Sequence, residues 1–109
     1  MFGVSGDAKI FVCLEAVDFR KGFEGLSLMT ESLFPKKLLT GAYFVFLNKS
    51  RKSIKVLYWD SDGLALWSKR LEKGSFSQKE LSKQIDRRSF LMLLEGITPK
   101  KIARRFSWD

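Results

Sequence analysis

The stretch Ala42-Tyr-Phe-Val-Phe-Leu-Asn-Lys-Ser-Arg-Lys-Ser-Ile-Lys-Val-Leu-Tyr-Trp-Asp-Ser-Asp-Gly-Leu-Ala-Leu-Trp-Ser-Lys-Arg-Leu71 decides the fold. Ala42 to Leu47 is apolar at every position, as a strand covered on both faces must be, so it reads as central in a sheet. Asn48 to Ser53 is wholly polar and reads as a hairpin turn. Ile54 to Trp59 then alternates, with Ile54, Val56 and Tyr58 on one face and Lys55, Leu57 and Trp59 on the other. Asp60-Ser-Asp-Gly63 is a second turn, in which Gly63 tolerates positive φ. Leu64 to Leu71 returns as a strand. Residues 42–71 therefore predict a three-stranded antiparallel meander.

The flanks add two helices and two short strands. On the C-terminal side, Lys83-Gln-Ile85 reads as a short strand. Asp86 is placed to cap a helix over Arg87–Glu95, whose buried stripe is Phe90, Leu91, Leu93 and Leu94, with Gly96 ending it. On the N-terminal side, Lys9-Ile-Phe-Val-Cys-Leu14 is a run of β-formers. Asp18 is positioned to cap a second helix, in which Phe19, Phe23, Leu26 and Leu33 recur near helical spacing. Gly22 and Gly25 delay the regular helix to about Phe23, and Pro35 stops it. The class is α+β: a small single domain over residues 9–98, an antiparallel meander plus an N-terminal strand packed by two helices. An N-terminal arm (1–8) and a basic, aromatic C-terminal tail (99–109) flank it.

With 109 residues there is room for one domain, and fifteen aromatic residues supply a core without disulfides. The chain has no His, which excludes Ser-His-Asp and Cys-His catalysis and His-dependent zinc sites. Cys13 is the only cysteine and cannot form an internal disulfide; placed in an apolar strand, it reads as inert packing. No basic leader or membrane-length apolar run is visible, so the expected location is cytoplasmic, with association to the nucleoid when DNA is bound.

Charge is the strongest functional signal. The net charge is +8, from 20 Lys+Arg against 12 Asp+Glu. Residues 1–34 carry three basic and five acidic side chains, whereas residues 35–109 carry 17 basic and seven acidic. A basic excess of this kind points to an anionic partner, DNA or an acidic protein surface. The hairpin holds Lys49, Arg51, Lys52 and Lys55 with no acid among them, a pattern suited to phosphates or simply to a solvated turn that discourages edge pairing. Lys69 and Arg70 extend it. Arg20 and Lys21 precede a helix N-terminus, where an anion is stabilised, although the local glycines lack the spacing of a phosphate-binding loop. Lys100, Lys101, Arg104 and Arg105 interleave with Phe106 and Trp108 in the tail, a pattern shared by stacking platforms and by aromatic ends folded back on a core.

Asp60 and Asp62, with Glu72, form a candidate divalent-metal set. Asp-x-Asp-Gly at a hairpin is a turn former first, and the later ligands of a calcium loop are absent. No metal site, catalytic residue or cofactor is assigned.

Five segments, in order, resemble a known family: Asp18-Phe-Arg-Lys-Gly-Phe-Glu-Gly-Leu26, Gly41-Ala-Tyr-Phe-Val-Phe46, Ile54-Lys-Val-Leu-Tyr-Trp-Asp-Ser-Asp-Gly-Leu64, Lys69-Arg-Leu-Glu-Lys-Gly-Ser-Phe76 and Leu93-Leu-Glu-Gly-Ile97. The sequence is similar to the TnpB family, the second-open-reading-frame accessory proteins of insertion-sequence sixty-six transposons. The resemblance covers about residues 9–98. It departs from the family where Ser77-Gln78 replaces a Trp-Pro pair, and in the short linker before the last helix. It implies a non-catalytic role in transposition beside a larger transposase, and gives weight to Arg20, Lys21, Lys55, Trp59, Asp60, Asp62, Gly63, Lys69, Arg70, Glu72 and Gly74.

These residues support three functions. In the first, an accessory factor contacts DNA phosphates through Lys49, Arg51, Lys52, Lys55, Lys69, Arg70, Arg20 and Lys21. In the second, an interaction module docks on the transposase through Trp59, Trp67 or Trp108 without touching DNA. In the third, Asp60, Asp62 and Glu72 converge as a metal-dependent nuclease.

Overall fold

The computed structural model describes residues 4, 6–77 and 81–96. In chain order the elements are β1 (Ile10–Val12), α1 (Phe23–Leu33), β2 (Tyr43–Leu47), β3 (Ser53–Asp60), β4 (Gly63–Arg70), β5 (Gln84–Ile85) and α2 (Arg87–Leu94). They form one five-stranded sheet in the order β4-β3-β2-β1-β5. The meander β2-β3-β4 is antiparallel throughout, with Val45 opposite Val56 and Val56 opposite Trp67. β1 does not extend the meander antiparallel. It lies parallel to β2, Phe11 opposite Phe44, after a crossover through α1. β5 closes the far side, Ile10 opposite Ile85.

The apolar run in β2 has the expected cause: both its faces are covered. Val45 and Leu47 join Ile10, Val12, Ile54, Val56, Ile85, Phe90, Leu93 and Leu94 on the α2 face. Phe44 and Phe46 join Leu57 and Leu26 on the α1 face. Cys13 is buried at that face, and desolvation pushes its thiol pKa upward, as befits a packing residue.

The helix boundaries agree with the sequence, but one cap and one stripe do not. Asp86 Oδ1 accepts from Ser89 N–H at 2.8 Å and caps α2, and Gly96 lies just past that helix at φ +72°. Asp18, in contrast, does not cap α1. The N-cap is Gly22, without a side-chain hydrogen bond, because Asp18 lies four residues upstream and closes its own turn instead. The buried stripe of α1 is Leu26 and Thr30. Phe23 and Leu33 stay 45% and 48% exposed. Thr30 can be buried because its hydroxyl donates to the Leu26 carbonyl at 2.8 Å. Among the described residues no helix is long and apolar enough to cross a membrane.

Candidate nucleic-acid interface

The C-terminal ends of the parallel strands β1 and β2 share one end of the sheet with the β2–β3 hairpin and the end of β4. In open sheets with parallel strands, ligands tend to bind outside these carboxyl ends. Here that end is built from loops distant in sequence. Residues 13–22, leaving β1, fold across toward β3, and Val17 N–H donates to the Leu47 carbonyl at 2.9 Å. Lys55, from β3, donates its ammonium to the Phe19 carbonyl at 3.3 Å. The same ammonium lies 5.1 Å from the Phe19 ring centroid, a cation–π contact. The loop is thereby held against the hairpin. A shallow groove between them is lined by Val17, Asp18, Arg20, Asn48, Lys49 and Ser50.

The hairpin is built from its own polar side chains. Asn48 Oδ1 accepts from Ser53 N–H at 3.2 Å, and Arg51 N–H donates to the Asn48 carbonyl at 3.0 Å. Lys49, Arg51 and Lys52 are exposed. The chain beyond β4 supports them from below: Leu71 N–H donates to the Lys52 carbonyl and Phe76 N–H to the Arg51 carbonyl. Arg70 stands opposite Ser53 at the base of the loop. Arg51 takes φ +57°, a left-handed conformation that a non-glycine side chain occupies at a cost. Arg51→Gly is therefore expected to raise stability by up to about 1 kcal/mol in urea unfolding, while removing one cation from the tip.

Two of the eight predicted cations are committed to the fold. Lys55 is half-buried against Phe19, as described. Lys69 donates to the Leu94 carbonyl at 2.8 Å, supplying the positive group that favours a helix C-terminus. Lys69→Met is expected to cost about 1 kcal/mol of stability, and to change the thermal midpoint far more than any affinity for DNA. Neither tie is visible in sequence, since each joins residues far apart in the chain.

Arg20 is 92% exposed in its side chain and paired with Asp18 at 2.6 Å. Its Nε reaches both carboxylate oxygens, and its backbone N–H donates to Oδ1. These hydrogen bonds from Arg20 lower the Asp18 pKa to about 2. What the pair contributes is present above the ordinary carboxylate value and is lost as pH falls through about 2. At neutral pH an acid thus sits on Arg20 inside the basic groove. Lys21 is exposed beside it.

The tryptophans separate. Trp59 is partly buried on the α1 side of the sheet, opposite Leu64. Trp67 packs against the core on the α2 side. Trp108, with the tail cations Lys100, Lys101, Arg104 and Arg105, lies outside the described residues. The third reading is corrected by the topology. Asp60 and Asp62 sit at the β3–β4 turn, whereas Glu72 lies past the opposite end of β4. Eight strand residues put roughly 25 Å between the two ends, so these three carboxylates do not converge on one ion.

Comparison with known proteins agrees with this architecture of motifs. Residues 8–104 match the family described as IS66 Orf2 like protein. The Sinorhizobium fredii (strain NBRC 101917 / NGR234) protein y4jC, itself described as uncharacterized, is 31% identical over 108 residues, covering 96% of this chain and 92% of the relative. A second uncharacterized protein of that strain, y4hO, is 31% identical over 70 residues, covering 64% and 61% respectively. No solved structure matches. A family match across nearly the whole chain, with y4jC aligned over almost its full length, shows that the chain belongs to the IS66 Orf2-like family of transposition-associated accessory proteins.

Proposed function

We propose that this chain is a non-catalytic accessory factor that grips DNA phosphates with the basic end of its sheet, within or beside the complex formed by the transposase of the same element. The observation that carries the reading is the meeting of two loops. Arg20 from the β1–α1 loop and Lys49 from the hairpin line one groove, with Arg51 and Lys52 exposed at the tip. Lys49, Arg51, Lys52, Arg20 and Lys21 are the direct phosphate contacts in this reading, with Arg70 adding positive charge at the base of the loop. Lys55 and Lys69 position the loop and α2 around them. Contacts of this type neutralise phosphates and release counterions, so binding falls steeply with salt.

The test is a salt titration of purified protein on labelled transposon-end DNA and on scrambled DNA, with and without the transposase. A steep salt slope for the protein alone supports the reading. Binding that ignores salt contradicts it. Binding that needs the transposase moves the function to a protein interface. That second reading has its own support in Trp59, which is partly exposed on the α1 side, and in Phe23 and Leu28 of α1, which remain uncovered there.

Asp18 offers a sharper test. Asp18→Asn removes the carboxylate that neutralises Arg20. The variant is expected to bind DNA several-fold more tightly at low salt and to steepen the log–log salt slope by up to about 0.9, the value for one added phosphate contact. An unchanged slope would take Arg20 out of the contact set.

A further inference from the structure

The sheet has two unequal edges. β5 is two residues long, but β4 is eight residues long. Among the described residues no strand pairs with the outer side of β4. Its sequence is not that of a protected edge. Gly63-Leu-Ala-Leu-Trp-Ser-Lys-Arg70 carries apolar side chains on both faces, has no proline, and keeps its charges to one end. Leu64 and Leu66 face α1 while Ala65 and Trp67 face α2, as their opposites Leu57 and Val56 show. Edge strands of this character normally acquire a partner.

The backbone groups available for pairing can be named. Leu71 N–H is used across to Lys52. Antiparallel pairing alternates bonded and non-bonded positions. The odd-numbered residues of β4 therefore bond to β3, and Leu64, Leu66, Ser68 and Arg70 turn their N–H and C=O groups outward.

We infer that β4 pairs antiparallel with β4 of a second copy of this chain, about a two-fold axis through Leu66, joining two sheets into one of ten strands. A two-fold axis perpendicular to the sheet keeps each face continuous, so a residue on the α1 side meets another on the α1 side. Centred on Leu66, it brings the turn residue Asp62, one position before β4, beside Arg70 of the other copy, twice, as opposite charges. It sets Trp67 opposite Ala65 and Lys69 opposite Gly63, large against small. Leu64 meets Ser68. Shifting the axis to Trp67 would instead oppose two tryptophans and set Arg70 against Leu64. The strand is thus complementary to its own reverse in one register, which is the requirement of an isologous interface. The neighbouring surface fits the same occupant. Leu28, 73% exposed, and Phe23 line an apolar groove with Leu64 along this edge, and the second copy extends the contact over it. The two basic ends then point in opposite directions.

Sedimentation of the full chain across a concentration series should show a dimer. Arg70→Asp places like charges opposite Asp62 and is expected to weaken dimerisation by roughly tenfold or more. Asp62→Arg combined with Arg70→Asp restores the opposite pair and should recover most of the loss, which a merely misfolded variant would not do. Register is read by cysteine pairing. Leu66→Cys puts two thiols on the axis, about 5.5 Å apart at Cα, within disulfide reach, and should oxidise to a covalent dimer. Ser68→Cys should not, because its own copy is displaced by four residues. A monomer at all concentrations, including one whose edge is filled by its own C-terminal segment, overturns the inference. So does a dimer that links through Ser68→Cys and not through Leu66→Cys.

Discussion

Replacing Lys49 and Lys52 with alanine and Arg51 with glycine is expected to reduce DNA affinity by roughly 10²–10³ at 0.1 M salt, and to lower the log–log salt slope by about 2.7. Each cation removed from a phosphate forfeits one set of released counterions, worth about 0.9 in slope. The effect is a loss of binding and not of fold. All three side chains are exposed, and the turn is closed by Asn48 and by backbone bonds that the variant keeps. Glycine at position 51 also fits the left-handed φ already present there. Electrophoretic or fluorescence titration gives the affinity, and circular dichroism shows whether the fold is intact. A folded triple variant with the original salt slope would remove the hairpin from the DNA contact.

Phe44→Ala is expected to cost about 3–5 kcal/mol, a large share of the roughly 5–15 kcal/mol that stabilises a domain of this size. Phe44 is wholly buried in the middle strand of the sheet. Its ring lies 5.8 Å from that of Phe11 on β1 and 5.6 Å from that of Phe34, just past α1, and those two are 5.1 Å apart. Truncation therefore empties the centre of a three-ring cluster that ties β1, β2 and the end of α1 together. The thermal midpoint should fall by roughly 15 °C or more. Phe44→Leu, which keeps most of the volume, should recover much of that loss. A variant as stable as the parent would mean that the α1 face is not packed as described.

The meander was legible because its signals are local. Alternation from Ile54 to Trp59 and polar turns at Asn48–Ser53 and Asp60–Gly63 each depend on neighbours in sequence. The features that were not legible depend on the far side of the fold. Nothing in Ile10-Phe-Val12 distinguishes a parallel neighbour of β2 from an antiparallel edge. In α1, hydrophobicity favours burying Leu28 over Thr30, yet Thr30 shares the buried stripe of Leu26, four residues before it, and tolerates burial because its hydroxyl is satisfied within the helix. At the candidate site, sequence identified the hairpin cations. It did not show that Lys55 and Lys69 are tied to Phe19 and Leu94, or that Asp18 pairs with Arg20. The proposed contact surface is therefore smaller than the basic residue count implies, and its two loops come from either side of a crossover.

That crossover has a consequence for synthesis. β1 bonds to β2 on one side and to β5 on the other, so it is the seam between the two ends of the chain. Of these five strands it is the first to be synthesised. Its partner Ile85 comes about 75 residues after Ile10, an interval of roughly 4–15 s at ordinary translation rates. Over that interval the meander can close on its own short turns, while Ile10, Phe11 and Val12 wait without their second neighbour. The nascent chain is thus vulnerable to aggregation or to capture by chaperones at β1 until β5 emerges.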